Sequence, residues 1–131
     1  MRKDIEIPIV KNVYVAVVHE WNDEFLSKDW NAYIINNQDK PIEAVIVVTQ
    51  GYKGDRKTSL LRHGLGTVEA KSSVKIEMIQ EELLSFTNEF RVTFFLDNKL
   101  YDKKYVFAKN SINENAFQDL PVMDQRGVLV K

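Results

Sequence analysis

The stretch from Gly51 to Thr58 reads G-Y-K-G-D-R-K-T and comes nearest to a nucleotide-binding motif. The phosphate loop G-x-x-x-x-G-K-[ST] wraps backbone N–H groups around phosphate oxygens, and a helix must follow it. A hydrophobic strand precedes the stretch, as the motif requires, but Arg56 stands where the second glycine belongs. A side chain there fills the space the phosphate would occupy. Gly64 stops any long helix after it. The stretch therefore reads as a mixed-charge surface loop.

Lys53, Arg56, Lys57, Arg62 and His63 nevertheless crowd one part of the sequence, the basic loop 51–63. Such a loop can touch phosphate in nucleic acid or a nucleotide. Tyr52 is the one nearby ring that can stack on a base, and Asp55 dilutes the charge. Nucleic-acid or nucleotide contact is the second reading, and the near-neutral composition disfavours it.

The two histidines, His19 and His63, lack metal-ligand spacing. A metal site needs about three or four convergent ligands. His19 and Glu20 are adjacent, so on a strand they point to opposite faces. Paired carboxylates are a third reading. Glu20, Asp23, Glu24 and Asp29 lie densely around Trp21 and Trp30. Acids beside ring faces suit a sugar or a cation. The plainer expectation makes both tryptophans core anchors and the acids solvated. Ser59, Ser72, Ser73, Ser85 and Ser111 have no G-x-S-x-G surroundings. No catalytic residue, metal ligand set or cofactor is assigned.

Composition limits the classes further. The chain has 131 residues, 18 Lys and Arg against 19 Asp and Glu, and no cysteine. That length predicts one domain over 1–131, large enough to bury a core without staples. Lack of cysteine excludes disulfides and thiolate chemistry, and it fits a reducing compartment. Net charge near zero gives no whole-domain positive field. The start, MRKDIEIPIV, lacks a signal-peptide core, and the longest apolar runs fall well short of the ~20 residues of a membrane helix. The expectation is a soluble, cytoplasmic protein with no membrane contact.

The elements that must position these residues read as strands. Phe90 to Phe107 is the strongest signal. Phe90, Val92, Phe94 and Leu96 alternate onto one face, and Asp97-Asn98 supplies a tight turn. The returning strand places Tyr101, Lys103, Tyr105 and Phe107 on one face and reads as near an edge, where its lysines discourage pairing. Ile5, Ile7 and Ile9 alternate as an edge strand interrupted by Pro8. Val13 to His19 and Ile42 to Gln50 are apolar enough for sheet interiors. Glu20 to Asp29 reads as a structured loop anchored by Trp21 and Phe25, with Trp30 to Ile35 the next strand. Thr58 to His63 is a strand ending in a Gly64-Leu65-Gly66 bend or bulge, and Val74 to Ile79 is a strand before a helical turn at Gln80 to Leu84, with one helix over 74–86 as the alternative. Leu120 to Met123 docks as an extended tail, and Gly127 to Val130 adds a last strand. Seven to nine short strands with turn signals, and no crossover helices, predict an all-β, immunoglobulin-like antiparallel β-sandwich with one short helical turn.

Taken whole, Ile5 to Gln50 and Arg62 to Phe107 resemble a group of short, uncharacterised bacterial proteins sometimes labelled phenylalanine–tRNA ligase alpha subunit. The class II catalytic domain of that ligase is far larger than this chain. Its glycine-rich strand followed by an arginine-bearing helix has no match in His63-Gly64-Leu65-Gly66-Thr67, so no ligase residue transfers. The resemblance implies only a small, bacterial, uncharacterised protein. The first functional reading is thus a non-catalytic binding or structural module, acting on a protein partner or on itself. The patch expected for it is Phe95, Tyr101, Lys103 and Tyr105, flat and without a deep pocket.

Overall fold

The structure, a computed structural model, describes residues 8–131. Its strands are β1 (Val13–Asn22), β2 (Ser27–Asn36), β3 (Ile42–Lys53), β4 (Arg56–Lys57), β5 (Leu61–Val68), β6 (Ser72–Ile79), β7 (Thr87–Leu96), β8 (Lys99–Phe107), β9 (Gln118–Asp119) and β10 (Arg126–Val130). Two 3-10 turns, Glu81–Ser85 and Glu114–Ala116, complete it. The first sheet runs β6-β2-β1-β10-β9 and the second runs β4-β3-β7-β8, with β5 also pairing β3. All the pairings are antiparallel. The chain crosses between sheets from β2 to β3, from β5 to β6, from β6 to β7 and from β8 to β9. The described strands number ten, and β4 and β9 are two residues each. Eight longer strands therefore correspond to the seven to nine expected.

The period of two decides what each strand buries. Val13, Val15 and Val17 of β1, with Trp30, Ala32 and Ile34 of β2, meet Val45, Val47, Phe90, Val92 and Phe94 of the second sheet in one core. Each fully buried Val, Ile or Phe side chain contributes about 1.5–3 kcal/mol. The outward residues Ala16, Val18 and Ile35 form a second cluster. Leu120 and Met123 from the C-terminal segment pack on it, so the expected tail roofs the first sheet.

Asp97 and Asn98 have φ of 52° and 63°, and Leu96 pairs with Lys99. This is a two-residue hairpin turn with both central residues left-handed, which suits the right-handed twist of its strands. Among the described residues, strand β8 pairs with β7 alone and forms an edge. Its Tyr105 is buried, and the hydroxyl donates to the Val13 carbonyl across the sandwich. The glycines of β5 lie opposite register shifts in β3, so of the expected bend or bulge it is a bulge, and the strand continues past it to Val68.

Two expectations need correcting or placing. Residues 20–29 are mostly strand: β1 and β2 pair as far as Asn22 and Ser27, leaving a four-residue turn, Asp23 to Leu26. The polar residues there face outward on a ribbon, which removes the apolar alternation without ending the strands. Trp30 is an anchor, but Trp21, Phe25 and Leu26 are exposed. The first expected strand, Ile5 to Ile9, lies largely outside the described residues, and Pro8 to Asn12 carry no strand.

Candidate functional site

The sequence-derived candidates separate in space. Lys53, Arg56 and Lys57 sit together on the β3–β4 hairpin, where Lys53 Nζ and the Arg56 guanidinium lie 5.7 and 5.3 Å from the Phe86 ring centre. Lys53 also donates to Ser85 Oγ at 3.0 Å. Arg62 and His63 belong to β5, opposite Val48 and Val47, and therefore point to opposite sides of the sheet. The five basic residues do not form one surface.

His63 turns inward. Its Nε2 lies 2.6 Å from Glu77 Oε1, and Thr49 Oγ1 donates to the same oxygen at 2.9 Å. These contacts join β3 and β5 to β6 across the open side of the sandwich. The carboxylate stands between the imidazole and the hydroxyl. The imidazole therefore has no direct hold on the hydroxyl proton, and this is not a nucleophile–base pair. A groove of about 450 Å³ opens beside them, lined by Glu77, Glu89, Gln50, Ser59, Leu61 and Met78 among others.

The patch of Phe95, Tyr101, Lys103 and Tyr105 does not exist as one face. Phe95 is exposed on the outer side of β7. Tyr101 stacks on inward-facing Phe94, with ring centres 5.2 Å apart, and Lys103 Nζ covers the buried Tyr105 ring at 4.9 Å. The alternation of β8 is as expected, but its Tyr-Lys face is the inner one. On the outer side, Arg91 donates from Nε and Nη2 to the two Asp102 oxygens at 3.2 and 2.8 Å. Those bonds hold the Asp102 carboxyl below the usual carboxylate range.

The β1–β2 hairpin gathers the acids, and they serve as its braces. Glu20 accepts from Asn31 Nδ2 at 2.7 Å and from the Tyr33 hydroxyl at 2.6 Å. Asp29 accepts from Asn22 Nδ2, and Asp23 from Trp21 Nε1, both at 2.7 Å. Asn22 Oδ1 accepts from the Glu24 and Phe25 amides at 2.9 and 3.3 Å, an Asx turn that fixes the tip. On this braced tip Trp21, Phe25 and Leu26 are 55, 69 and 73% exposed. The sequence carries a signal for this: Asn-Asp ahead of Phe-Leu is turn chemistry, and turn tips face water.

Burial, then the hydrogen bond to Glu20, then its charge push the Tyr33 phenol up to about 12. Glu20→Gln removes the charge, so Tyr33 is expected to titrate lower, yet still above 10 because burial remains. Carbon-13 NMR of labelled tyrosine reads this ring by ring, and an unmoved Tyr33 would show that Glu20 does not act on it. Sign follows directly: the folded pKa is raised, so the stabilisation is complete below about pH 10 and is lost as pH climbs through 12.

No protein-family model, curated protein or solved structure matches the chain. Among the described residues no group of three or more His, Asp or Glu side chains is placed to hold a metal, and no helix is long and apolar enough to cross a membrane.

Proposed function

We propose that the chain is a non-catalytic binding module that contacts a protein partner through the tip of the β1–β2 hairpin. The exposure of Trp21, Phe25 and Leu26 on one braced turn carries this reading. Large apolar groups held in water keep a transfer free energy of about 1.5–3 kcal/mol each that burial would release. Ordering a side chain on binding costs about 0.5–1.5 kcal/mol. The bond from Trp21 Nε1 to Asp23 meets part of that cost in advance, and Asn22 Oδ1, accepting from the Glu24 and Phe25 amides, fixes the backbone of the turn. An immunoglobulin-like arrangement supports the same reading, because such sandwiches carry their contacts on loops at the two ends. The order β1-β2-β6 in one sheet and β5-β3-β7-β8 in the other is in keeping with it.

A photoreactive phenylalanine analogue at position 25 tests the contact in the cells that naturally make the protein. Discrete cross-linked products are expected from position 25 and none from the same group at Lys75, an exposed residue of β6. Equal products from both positions, or none from position 25, would remove the tip as a contact surface.

A further inference from the structure

The same end of the sandwich carries a second feature, on the other sheet. Trp30 pairs with Ile79 where β6 ends. Residues 80–86 then lead directly to Thr87, which pairs with Tyr52 near the end of β3. The β1–β2 tip and the β3–β4 hairpin therefore leave one end of the molecule, one from each layer. Beside the second hairpin are two adjoining hollows that share Lys53. One, of about 330 Å³, is lined by Lys53, Arg56, Lys57, Glu82, Leu83 and Phe86 among others. The other, of about 560 Å³, adds Lys109.

The two features are opposite in charge. Residues 20–29 carry Glu20, Asp23, Glu24 and Asp29 against Lys28 alone. The hollows carry Lys53, Arg56, Lys57 and Lys109 against Glu82, and Asp55 at the turn leaves the balance positive. An apolar knob with an acidic skirt stands at the same end as these basic-rimmed hollows, the smaller of which is lined by Leu83 and Phe86.

We infer that the partner of the hairpin tip is a second copy of this chain: Phe25 and Leu26 of each copy enter the basic hollow of the other. This rests on the reading of the tip as a contact surface. A two-fold axis in the plane of the end, parallel to the sheets, exchanges the layers, which lie about 10 Å apart. It therefore brings each tip to the layer that holds the partner's hollow and closes the assembly at two copies, with two identical contacts. The alternative, tip in hollow by simple repetition, would make open chains. The closed form satisfies both features at once.

Sedimentation velocity on the full chain over a wide concentration range tests this, with 15.2 kDa the monomer mass. A species of twice that mass is expected at high concentration, weakened by salt because the charges are exposed. Glu24 and Lys57 are both exposed, so reversing either leaves the core intact. Glu24→Lys alone and Lys57→Glu alone are each expected to weaken dimerisation roughly 10-fold or more, since each change acts twice in a two-fold dimer. Both changes in one chain are expected to restore most of the affinity, and Phe25→Ala is expected to weaken it without restoration. Circular dichroism confirms that each variant is folded. A monomer at every concentration overturns the inference, as does a double variant no better than the singles. A monomer whose position-25 probe still cross-links a product of another mass overturns it too, while leaving the tip as a contact surface for a different protein.

Discussion

Gly127→Ala is expected to destabilise the fold by about 3 kcal/mol, near the upper end of what overpacking a close contact costs. A Cβ at Gly127 would lie 2.5 Å from the Val17 carbonyl oxygen and 3.0 Å from Val18 Cγ1. The first is backbone of the central strand β1 and cannot swing aside as a side chain tip can. The requirement is one of space, since this glycine is not in the left-handed region. β10 must instead draw away from β1, to which it is joined at Val15, Ala16 and Val17. Among the described residues β9 pairs only with β10, and Leu120 next to it packs on Ala16, Val18 and Ile35. Loosening β10 thus also uncovers the outer face of the first sheet. Thermal melting is expected to fall by about 10 °C for a domain of this size. Hydrogen exchange is expected to show lost protection in β10 while β7 keeps its own. A variant within 0.5 kcal/mol of the parent would mean that the two strands do not approach this closely.

The sequence makes the fold legible where one local rule suffices. The β7–β8 turn is such a case, because Asp-Asn enters the left-handed region cheaply and the flanking alternation has a period of two. Apolar residues on both faces of β1 likewise mark it as interior, and it is flanked by β2 and β10. What the pattern leaves open is which face looks inward. Tyr101, Lys103 and Tyr105 share a side as expected, but a lysine on a face does not make that face the outer one. Here the Lys103 ammonium lies over the Tyr105 ring while the buried hydroxyl finds Val13 across the core. Residues 20–29 fail for a related reason. Periodicity detects a strand by what it buries, and this ribbon buries little beyond His19 and Trp30, which stack 4.1 Å apart. Contacts far apart in sequence are not written locally at all. The joining of Thr49, His63 and Glu77, and the shared end of two hairpins from different sheets, follow from topology alone.

The same reasoning makes Asn36 the most sensitive polar position. It is fully buried at the end of β2. Its Nδ2 donates to the Lys40, Val68 and Glu69 carbonyls at 2.9, 3.2 and 3.1 Å, and its Oδ1 accepts from the Gln38 amide at 3.1 Å. One side chain thus ties the β2–β3 loop to the β5–β6 connection, where the chain passes between sheets. Asn36→Ala leaves these backbone groups short of a partner in a site that admits no ready replacement. An unsatisfied buried group costs about 1–3 kcal/mol, so a total of about 3–4 kcal/mol is expected once some carbonyls rearrange. Asn36→Asp keeps the shape but turns a donor toward three carbonyl oxygens into an acceptor, so at neutral pH it should be the less stable of the two. Its sign with pH separates this account from simple loss of packing. The introduced carboxyl is buried among oxygens, which favours its protonated form, so its folded pKa exceeds the unfolded one. Stability is then greatest below the unfolded pKa and is lost as pH rises through the folded value. Urea unfolding of Asn36→Asp at pH 4 and pH 7 is expected to show the variant recovering toward the parent at the lower pH. An equal deficit at both would mean that Asn36 fills space and does not hold the two loops by its hydrogen bonds.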